Sequence, residues 1–251
     1  MPTLTVGATA ITYEVRRSRR ATRGRIVVAP RGVAVVVPPG TPDARVREIV
    51  EDRRLWIAER WTALQRTLAA HPGTAARFET GATIPYRGRP VPLRLVARPD
   101  HGGGARVTYA DGFVVELPAR IGDDEGARDG IVEGALRLWL RRRARADALE
   151  LAARHGPPHG LVPRSVRIKD QRTLWGSCTA RGDVNLNWRL VLAPPEAFEY
   201  VVVHELCHLR ERHHGPAFWR LVGDVLPDFA PRRRWLRDHG PLLTLRPGDW
   251  R

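Results

Sequence analysis

Residues 204–208 read His-Glu-Leu-Cys-His, and this segment constrains the chain more than any other part of its sequence. Apolar residues at helical spacing run through it and predict a helix: Phe198, Val202, Leu206 and Leu209. His204 and His208 are about 1.1 turns apart, so both imidazoles leave the same face of that helix. Two ring nitrogens so placed reach one zinc ion at about 2.0–2.1 Å. The segment therefore predicts a metal site on the face of a helix.

Glu205 follows the first histidine and points to the flank of the same face. From there it contacts a water on the metal more easily than the metal itself. Zinc lowers the pKa of such a water towards 7, and a neighbouring carboxylate accepts its proton. We therefore predict that Glu205 is a catalytic general base.

A catalytic zinc needs a third protein ligand and keeps one position open. His214 is the preferred candidate, because it precedes Gly215, where the helix must break and the chain can fold back. His213 competes for this place, and it could instead contact the substrate or simply be exposed. Asp224 and Asp228 are weaker alternatives. The sequence thus predicts one metal ion per chain, and imidazole ligands favour zinc.

The formal net charge of +15 comes almost entirely from arginine, since Lys169 is the only lysine among 42 basic residues. Such a charge is common in nucleic-acid-binding proteins. Arginine in place of lysine, together with abundant Ala, Gly and Pro, instead indicates the codon bias of a GC-rich genome. A nucleic-acid partner is therefore possible but not favoured, and an anionic substrate stays open.

Several features suggest a globular protein without a membrane partner. No apolar run approaches the roughly 20 residues that cross a bilayer, and the N-terminus lacks the order of a signal peptide. Cys178 and Cys207 are too few for a disulfide framework. We expect a cytoplasmic protein with no internal repeat, and the sequence leaves its oligomeric state open.

The pattern of predicted elements changes near residue 120. Before it, strand patterns surround one helix: strands at 10–15, 25–30, 32–38, 90–97, 105–109 and 113–117, and a helix from Thr41-Pro42 to Leu68. After it, helices dominate: a long helix to Gly156, strands at 165–169 and 183–188, and three further helices. We predict two domains, a β-rich N-terminal domain of unknown role (1–120) and a catalytic domain (121–251).

The sequence resembles the YgjP-like family of zincin metallopeptidases, which is related more distantly to SprT-like and WLM domains. The matching motifs are Trp175-Gly176-Ser177-Cys178, Asn185-Leu186-Asn187-Trp188, Tyr200 to Leu209, His213-His214, Phe218-Trp219 and, in the N-terminal half, Trp56-Ile57. The resemblance implies zinc on His204, His208 and His214 with Glu205 as general base. It also implies an α+β fold: a β-rich N-terminal region with one long helix, followed by a zincin-like minimal metalloprotease domain.

Four further residues are candidates for substrate binding: Arg172, Trp175, Asn187 and His213. Zincins commonly bind an extended substrate along an edge strand beside the metal helix, and residues 183–188 are the predicted edge. Arg172 could bind a carboxylate or phosphate or stabilise an oxyanion, or it could form a surface ion pair. Asn187 could instead satisfy nearby backbone groups, and Trp175 could belong to the core. The arginine run 232–234 is most simply a solvated face.

Three functions remain open, and the first is favoured. It is an HExxH zinc metallohydrolase, a metallopeptidase that cleaves peptide or protein substrates with water activated by Glu205. The second is a metal-dependent hydrolase of nucleotides or other phosphoanhydrides, motivated by the excess of arginine and by Lys169 and Arg172. The third is a nucleic-acid-binding protein with a structural metal, which three histidines beside a glutamate do not favour, since structural zinc usually has four ligands.

Overall fold

A computed structural model describes residues 1–7, 9–19, 21–29, 32–70, 77–99, 103–121, 125–171 and 174–243. The fold is α+β, as predicted, with several small sheets and one long helix. The chain divides into two compact units, which fall within residues 1–72 and 73–249. The metal motif lies in the second unit.

The first unit is a four-stranded sheet followed by two helices. Its elements are β1 (Thr3–Val6), β2 (Thr9–Arg17), β3 (Arg25–Ala29), β4 (Gly32–Val37), α1 (Asp43–Glu51) and α2 (Arg54–Ala70). The strand order is β1-β2-β4-β3, with β2 and β4 parallel. Alternate strand residues such as Val33, Val35 and Val37 are buried and form one core with Val50 and Ile57 of the helices. The single predicted helix is therefore two helices, and the first begins at Asp43 with Pro42 as N-cap residue.

The second unit opens with another four-stranded sheet and the long helix. These elements are β5 (Thr83–Tyr86), β6 (Arg89–Arg98), β7 (Arg106–Tyr109), β8 (Phe113–Pro118) and α3 (Glu125–His155). The strand order is β5-β6-β8-β7, with β6 and β8 parallel. Trp139 of α3 packs edge-on against Tyr86 and Phe113 of the sheet, with ring centroids 5.6 and 5.3 Å away.

The two four-stranded sheets share strand order, strand directions and register, so the expectation of no internal repeat is wrong. Pairs in the first sheet match pairs in the second when 80 is added to each residue number: Thr3–Thr12 becomes Thr83–Pro92, and Tyr13–Val33 becomes Leu93–Phe113. For β3 and β7 the offset is 81, because three residues separate the pair Tyr109–Phe113, whereas four separate the equivalent pair Val28–Val33. The sequence Arg-Leu-Trp-Ile at 54–57 recurs as Arg-Leu-Trp-Leu at 137–140, and Ile57 and Leu140 are both buried.

The rest of the second unit carries the metal motif. Its strands are β9 (Ser165–Lys169), β10 (Gly176–Cys178) and β11 (Asp183–Asn187), and its helices are α4 (Pro195–Cys207), α5 (Pro216–Val225) and α6 (Phe229–His239). Short 3-10 helices occupy 119–121, 157–159, 188–192 and 240–242. The strand order is β10-β11-β9, with β10 antiparallel and β9 parallel to β11. The prediction that residues 183–188 form the edge strand is therefore wrong, because β11 is central and β10 is an edge.

The compact units do not divide at residue 120. Helix α3 contacts β7 and β8 as well as β9 and α4, and the second sheet belongs to the same compact unit as the metal motif. The assignment of separate functions to 1–120 and 121–251 stays a prediction.

None of the helices in the described part of the chain combines the length and the apolar character that a membrane span requires.

Candidate metal centre

Three histidines converge at the end of α4. His204 lies in the last turn of the helix, and His208 follows as its C-cap residue. The chain then turns back, and His214 stands just before Gly215, the N-cap residue of α5. The Nε2 atom of His214 lies 3.0 Å from that of His204 and 3.1 Å from that of His208. One ring nitrogen from each of the three histidines lies within 4.8 Å of those from the other two.

This spacing suits a tetrahedral metal ion. Nitrogens bound at about 2.0–2.1 Å in tetrahedral geometry lie about 3.3 Å apart, close to the observed 3.0 and 3.1 Å. Three neutral imidazoles are a ligand set that zinc and similar divalent ions accept. The residues present therefore fit the metal that the sequence predicts.

The opposite ring nitrogens of two of these histidines have partners that orient the rings. The Nδ1 atom of His208 lies 2.9 Å from the backbone carbonyl oxygen of Glu211. The Nδ1 atom of His204 lies 3.4 Å from the hydroxyl of Tyr200, one turn earlier on α4. With Nδ1–H donating to these oxygens, each Nε2 keeps its lone pair directed at the centre.

Aromatic side chains of α5 pack against the three histidines. The buried ring of Phe218 has its centroid 4.9 Å from His204, 4.6 Å from His208 and 4.8 Å from His214. Trp219 donates an Nε1–H hydrogen bond of 3.1 Å to the backbone carbonyl of His214. The Phe-Trp pair therefore fixes the third histidine against the first two.

Burial keeps the histidines in the form that binds a cation. It lowers the pKa of His204 to about 3, with a further lowering from His208 and His214. Burial also lowers the pKa of His214, as does the neighbouring positive charge of Arg233. Both rings are therefore neutral at neutral pH, and no proton competes for their lone pairs.

Glu205 lies beside the histidines and is almost completely buried, with 5% of its surface exposed. Burial raises the pKa of its carboxyl group to about 8. Strand β10 leaves room for this carboxylate only because residue 176 is glycine. A Cβ atom at Gly176 would lie 2.5 Å from Oε1 of Glu205 and 2.7 Å from its Cδ, closer than atoms can pack.

The histidines and Glu205 line a cleft of about 550 Å³. One wall is β10, the edge strand. The other walls come from α4, the segment before α5, and α6. The lining residues outside the metal motif include Trp175, Gly176, Ser177 and Cys178, and the arginines Arg212, Arg233 and Arg237.

The four predicted substrate-binding residues fall in different places. Trp175 is half-buried and lines the cleft. His213 is exposed and belongs neither to the histidine cluster nor to the cleft lining described here. Arg172 lies outside the described residues.

Asn187 takes the second of its two predicted roles. It is fully buried, and its side-chain amide donates to the backbone carbonyls of Gln171 and Leu174 at 2.7 and 3.1 Å. Its side-chain oxygen accepts from the backbone N–H of Arg189. Both polar atoms of this side chain are therefore hydrogen-bonded to backbone groups of described residues.

Sequence reasoning missed three residues of the site. Phe218 and Gly176 were recognised only as parts of motifs that match the family, without a role in the site. Arg233 belongs to a run interpreted as a solvated face, yet it lines the cleft. Arg232, in the same run, is 15% exposed and pairs with Glu199. Residues 232–234 are all arginines, so the sequence does not show which of them is buried in an ion pair and which lines the cleft.

The chain is similar to a known family of proteins. Residues 22–239 match the family described as YgjP-like, metallopeptidase domain. Among solved structures, the metallopeptidase zymogen abylysin of Pyrococcus abyssi shares 23% identity over 39% of this chain and 96% of that chain, with a TM-score of 0.34. No curated protein of known function matches the sequence.

The family match covers most of the chain and defines its class as a metallopeptidase domain, and hence a hydrolase. The chain belongs to the YgjP-like family, which confirms the family predicted from its motifs. The match supports a peptide substrate and gives no support to a nucleotide or nucleic-acid partner.

Proposed function

We propose that this protein is a zinc-dependent metallopeptidase in which His204, His208 and His214 hold one zinc ion and Glu205 is the general base. The convergence of the three Nε2 atoms beside a buried carboxylate carries this proposal. Three protein ligands with one position left open are the arrangement of catalytic rather than structural zinc sites. The family match supports the same class of reaction.

The chemistry divides between the metal and Glu205. Zinc in this site supplies a Lewis acid that lowers the pKa of water and polarises the scissile carbonyl. Glu205 accepts the proton of the attacking water at a carboxylate oxygen and then donates it to the leaving amine, because the peptide nitrogen must be protonated before it departs. A cation nearby favours the ionised form of this otherwise buried carboxyl group.

The substrate would bind as an extended strand along β10. This strand is an edge of its sheet, it lines the cleft, and it is held in register by antiparallel pairing with β11. Backbone hydrogen bonds to an edge strand hold a peptide without demanding a particular sequence. They also place one peptide carbonyl beside the histidines. The edge strand is β10 and not residues 183–188, and β10 lies directly next to Glu205 at Gly176.

A Glu205→Gln variant tests the proposal. We expect peptide cleavage to fall by about 10²–10⁴-fold, the usual contribution of a general base, while zinc content stays unchanged. Cleavage would be followed with a library of unfolded peptides and zinc by elemental analysis. Glu196→Gln is a matched control, because Glu196 is exposed in the first turn of the same helix.

Full activity of Glu205→Gln would overturn the role of Glu205. Release of phosphate from nucleotides, with no peptide cleaved, would overturn the peptidase assignment but would leave the proposed metal site unchallenged.

A further inference from the structure

The side chains that line the cleft beside the histidines carry a net positive charge, even without a metal ion. Three arginines line it, Arg212, Arg233 and Arg237, whereas Glu205 is the one carboxylate among the described lining residues. Glu205 is buried and committed to the reacting centre. The wall that a substrate meets therefore favours negative charge.

Two of these arginines are already engaged. Arg212 donates to the backbone carbonyls of Thr179 and Ala180 at 2.9 and 3.1 Å, and so holds the turn after β10. Arg237 pairs with the neighbouring Asp238, with Nε 2.9 Å from Oδ1. Their hydrogen-bonding groups are partly occupied before any ligand arrives.

Arg233 differs from both. Its guanidinium lies over the ring of Trp219, with the Cζ atom 4.3 Å from the ring centroid. Among the described residues that line the cleft, Arg233 is the one arginine without a hydrogen bond or ion pair. A guanidinium stacked on an aromatic face keeps its donor edge free for a planar anion.

Arg233 is also close to the reacting centre. Trp219, on which it stacks, donates to the carbonyl of His214. The ring of Trp219 also stacks beside the ring of His214, with the two centroids 5.8 Å apart. A substrate that places a carbonyl beside the histidines therefore brings its neighbouring groups within reach of Arg233.

We propose that Arg233 forms a carboxylate-binding subsite of the cleft, so that preferred substrates carry a carboxylate near the scissile bond. Arginine and a carboxylate pair through two parallel charge-assisted hydrogen bonds, which give both affinity and orientation. The carboxylate comes either from an acidic side chain or from a free C-terminus. This inference rests on the proposed function, because it assumes that a peptide occupies the cleft.

Peptide binding to zinc-loaded Glu205→Gln protein tests the subsite without cleavage. The probes are short, labelled, unstructured peptides with a single Glu moved along the chain, each matched by a peptide with Gln at the same place. A second arm compares the same neutral peptides with a C-terminal carboxylate or a C-terminal amide. Fluorescence anisotropy gives the dissociation constants.

We expect the carboxylate-bearing peptide of at least one arm to bind about tenfold more tightly than its match, the effect of one charged hydrogen-bonded pair. Adding Arg233→Gln should abolish that preference and leave zinc content and neutral-peptide binding unchanged. Arg234→Gln is the matched control, because Arg234 is exposed on the same helix and does not line the cleft. The arm that responds identifies the source of the carboxylate.

Equal binding of carboxylate and neutral peptides, or a preference that survives Arg233→Gln, would overturn the subsite. Failure of the proposed function is distinguishable from this. If the wild-type protein binds carboxylate peptides through Arg233 but cleaves no peptide, the subsite is confirmed and the peptidase function is refuted. Equal cleavage of acidic and neutral peptides by both the wild-type protein and the Arg233→Gln variant would confirm the peptidase and refute the subsite.

Discussion

Gly176 and Glu205 illustrate how the site depends on single side chains. The carboxylate of Glu205 occupies the space that any side chain at position 176 would fill, with Oε1 only 2.5 Å from where a Cβ atom would lie. Neither residue can move away easily, because Gly176 is paired with Leu186 in the sheet and Glu205 lies on α4 among buried residues. Residue 176 therefore sets the position of the proposed base.

A Gly176→Ala variant should move the Glu205 carboxylate and lower kcat/KM for peptide cleavage by about 10²-fold, the usual effect of misplacing a reacting group by about an ångström. Zinc content should stay near that of the wild type, because the histidines are not displaced. Steady-state kinetics and elemental analysis check both statements. Gly134→Ala is the control, since nothing lies within 4 Å of a Cβ atom at that helical position. Full activity of Gly176→Ala would show that this contact does not position the base.

The structure brings together those predicted site residues whose positions depend on local spacing. His204 and His208 share a helix face, and their convergence needs nothing beyond helical geometry. His214 was chosen through Gly215, which does begin the next helix as its N-cap residue. Gly176 and Arg233 were missed, because their importance comes from contacts with segments far away in the chain. Such contacts leave no local pattern.

At the scale of elements, one carboxylate connects the strands that support the cleft. Asp183, at the start of β11, accepts two hydrogen bonds from Arg164, at 2.9 and 2.7 Å, and one from Ser165 of β9 at 2.7 Å. It also accepts from Thr179, which follows β10. These bonds fix β9 and the end of β10 to the central strand.

Asp183 should make stability depend on pH. The hydrogen bonds from Arg164, and then from Ser165, lower the pKa of its carboxyl group. A carboxyl group with a lowered folded-state pKa stabilises the fold above its unfolded pKa of about 3.9, and this contribution is lost as pH falls further. We expect Asp183→Asn to lower the melting temperature at neutral pH, with a difference from the wild type that shrinks below about pH 4.

Thermal unfolding by circular dichroism, in the presence of a chelator that removes the metal's own pH dependence, checks this. Asp111→Asn is a suitable control, because Asp111 is exposed in the turn between β7 and β8 and asparagine before glycine suits that turn equally. A melting-temperature difference that stayed constant down to acid pH would refute the assignment to the Asp183 carboxylate.

The pairing of β10, β11 and β9 was harder to predict than the helices. Residues 183–187 have the pattern of a strand, but the order of strands in a sheet depends on partners that the pattern does not name. Strand β10 has only three residues and contains Gly176, so neither length nor alternation identifies it.

At the scale of the whole molecule, the chain contains the same four-stranded pattern twice. Only the second copy belongs to the compact unit that carries the histidines. The repeat was not apparent from the sequence, because the two copies share buried positions and strand register but few identical residues. Leu4 and Ile11 of the first copy correspond to Ile84 and Val91 of the second, and all four are buried. Apolar residues substitute for one another at such positions without changing the fold.

We propose that His204, His208 and His214 together hold one zinc ion. The most direct test is the zinc content of purified protein with single alanine substitutions at the two adjacent histidines, 213 and 214. We predict about one zinc per chain in the wild type, nearly complete loss in His214→Ala, and no loss in His213→Ala, because only His214 joins the cluster. Zinc retained by His214→Ala, or lost from His213→Ala alone, would contradict the account.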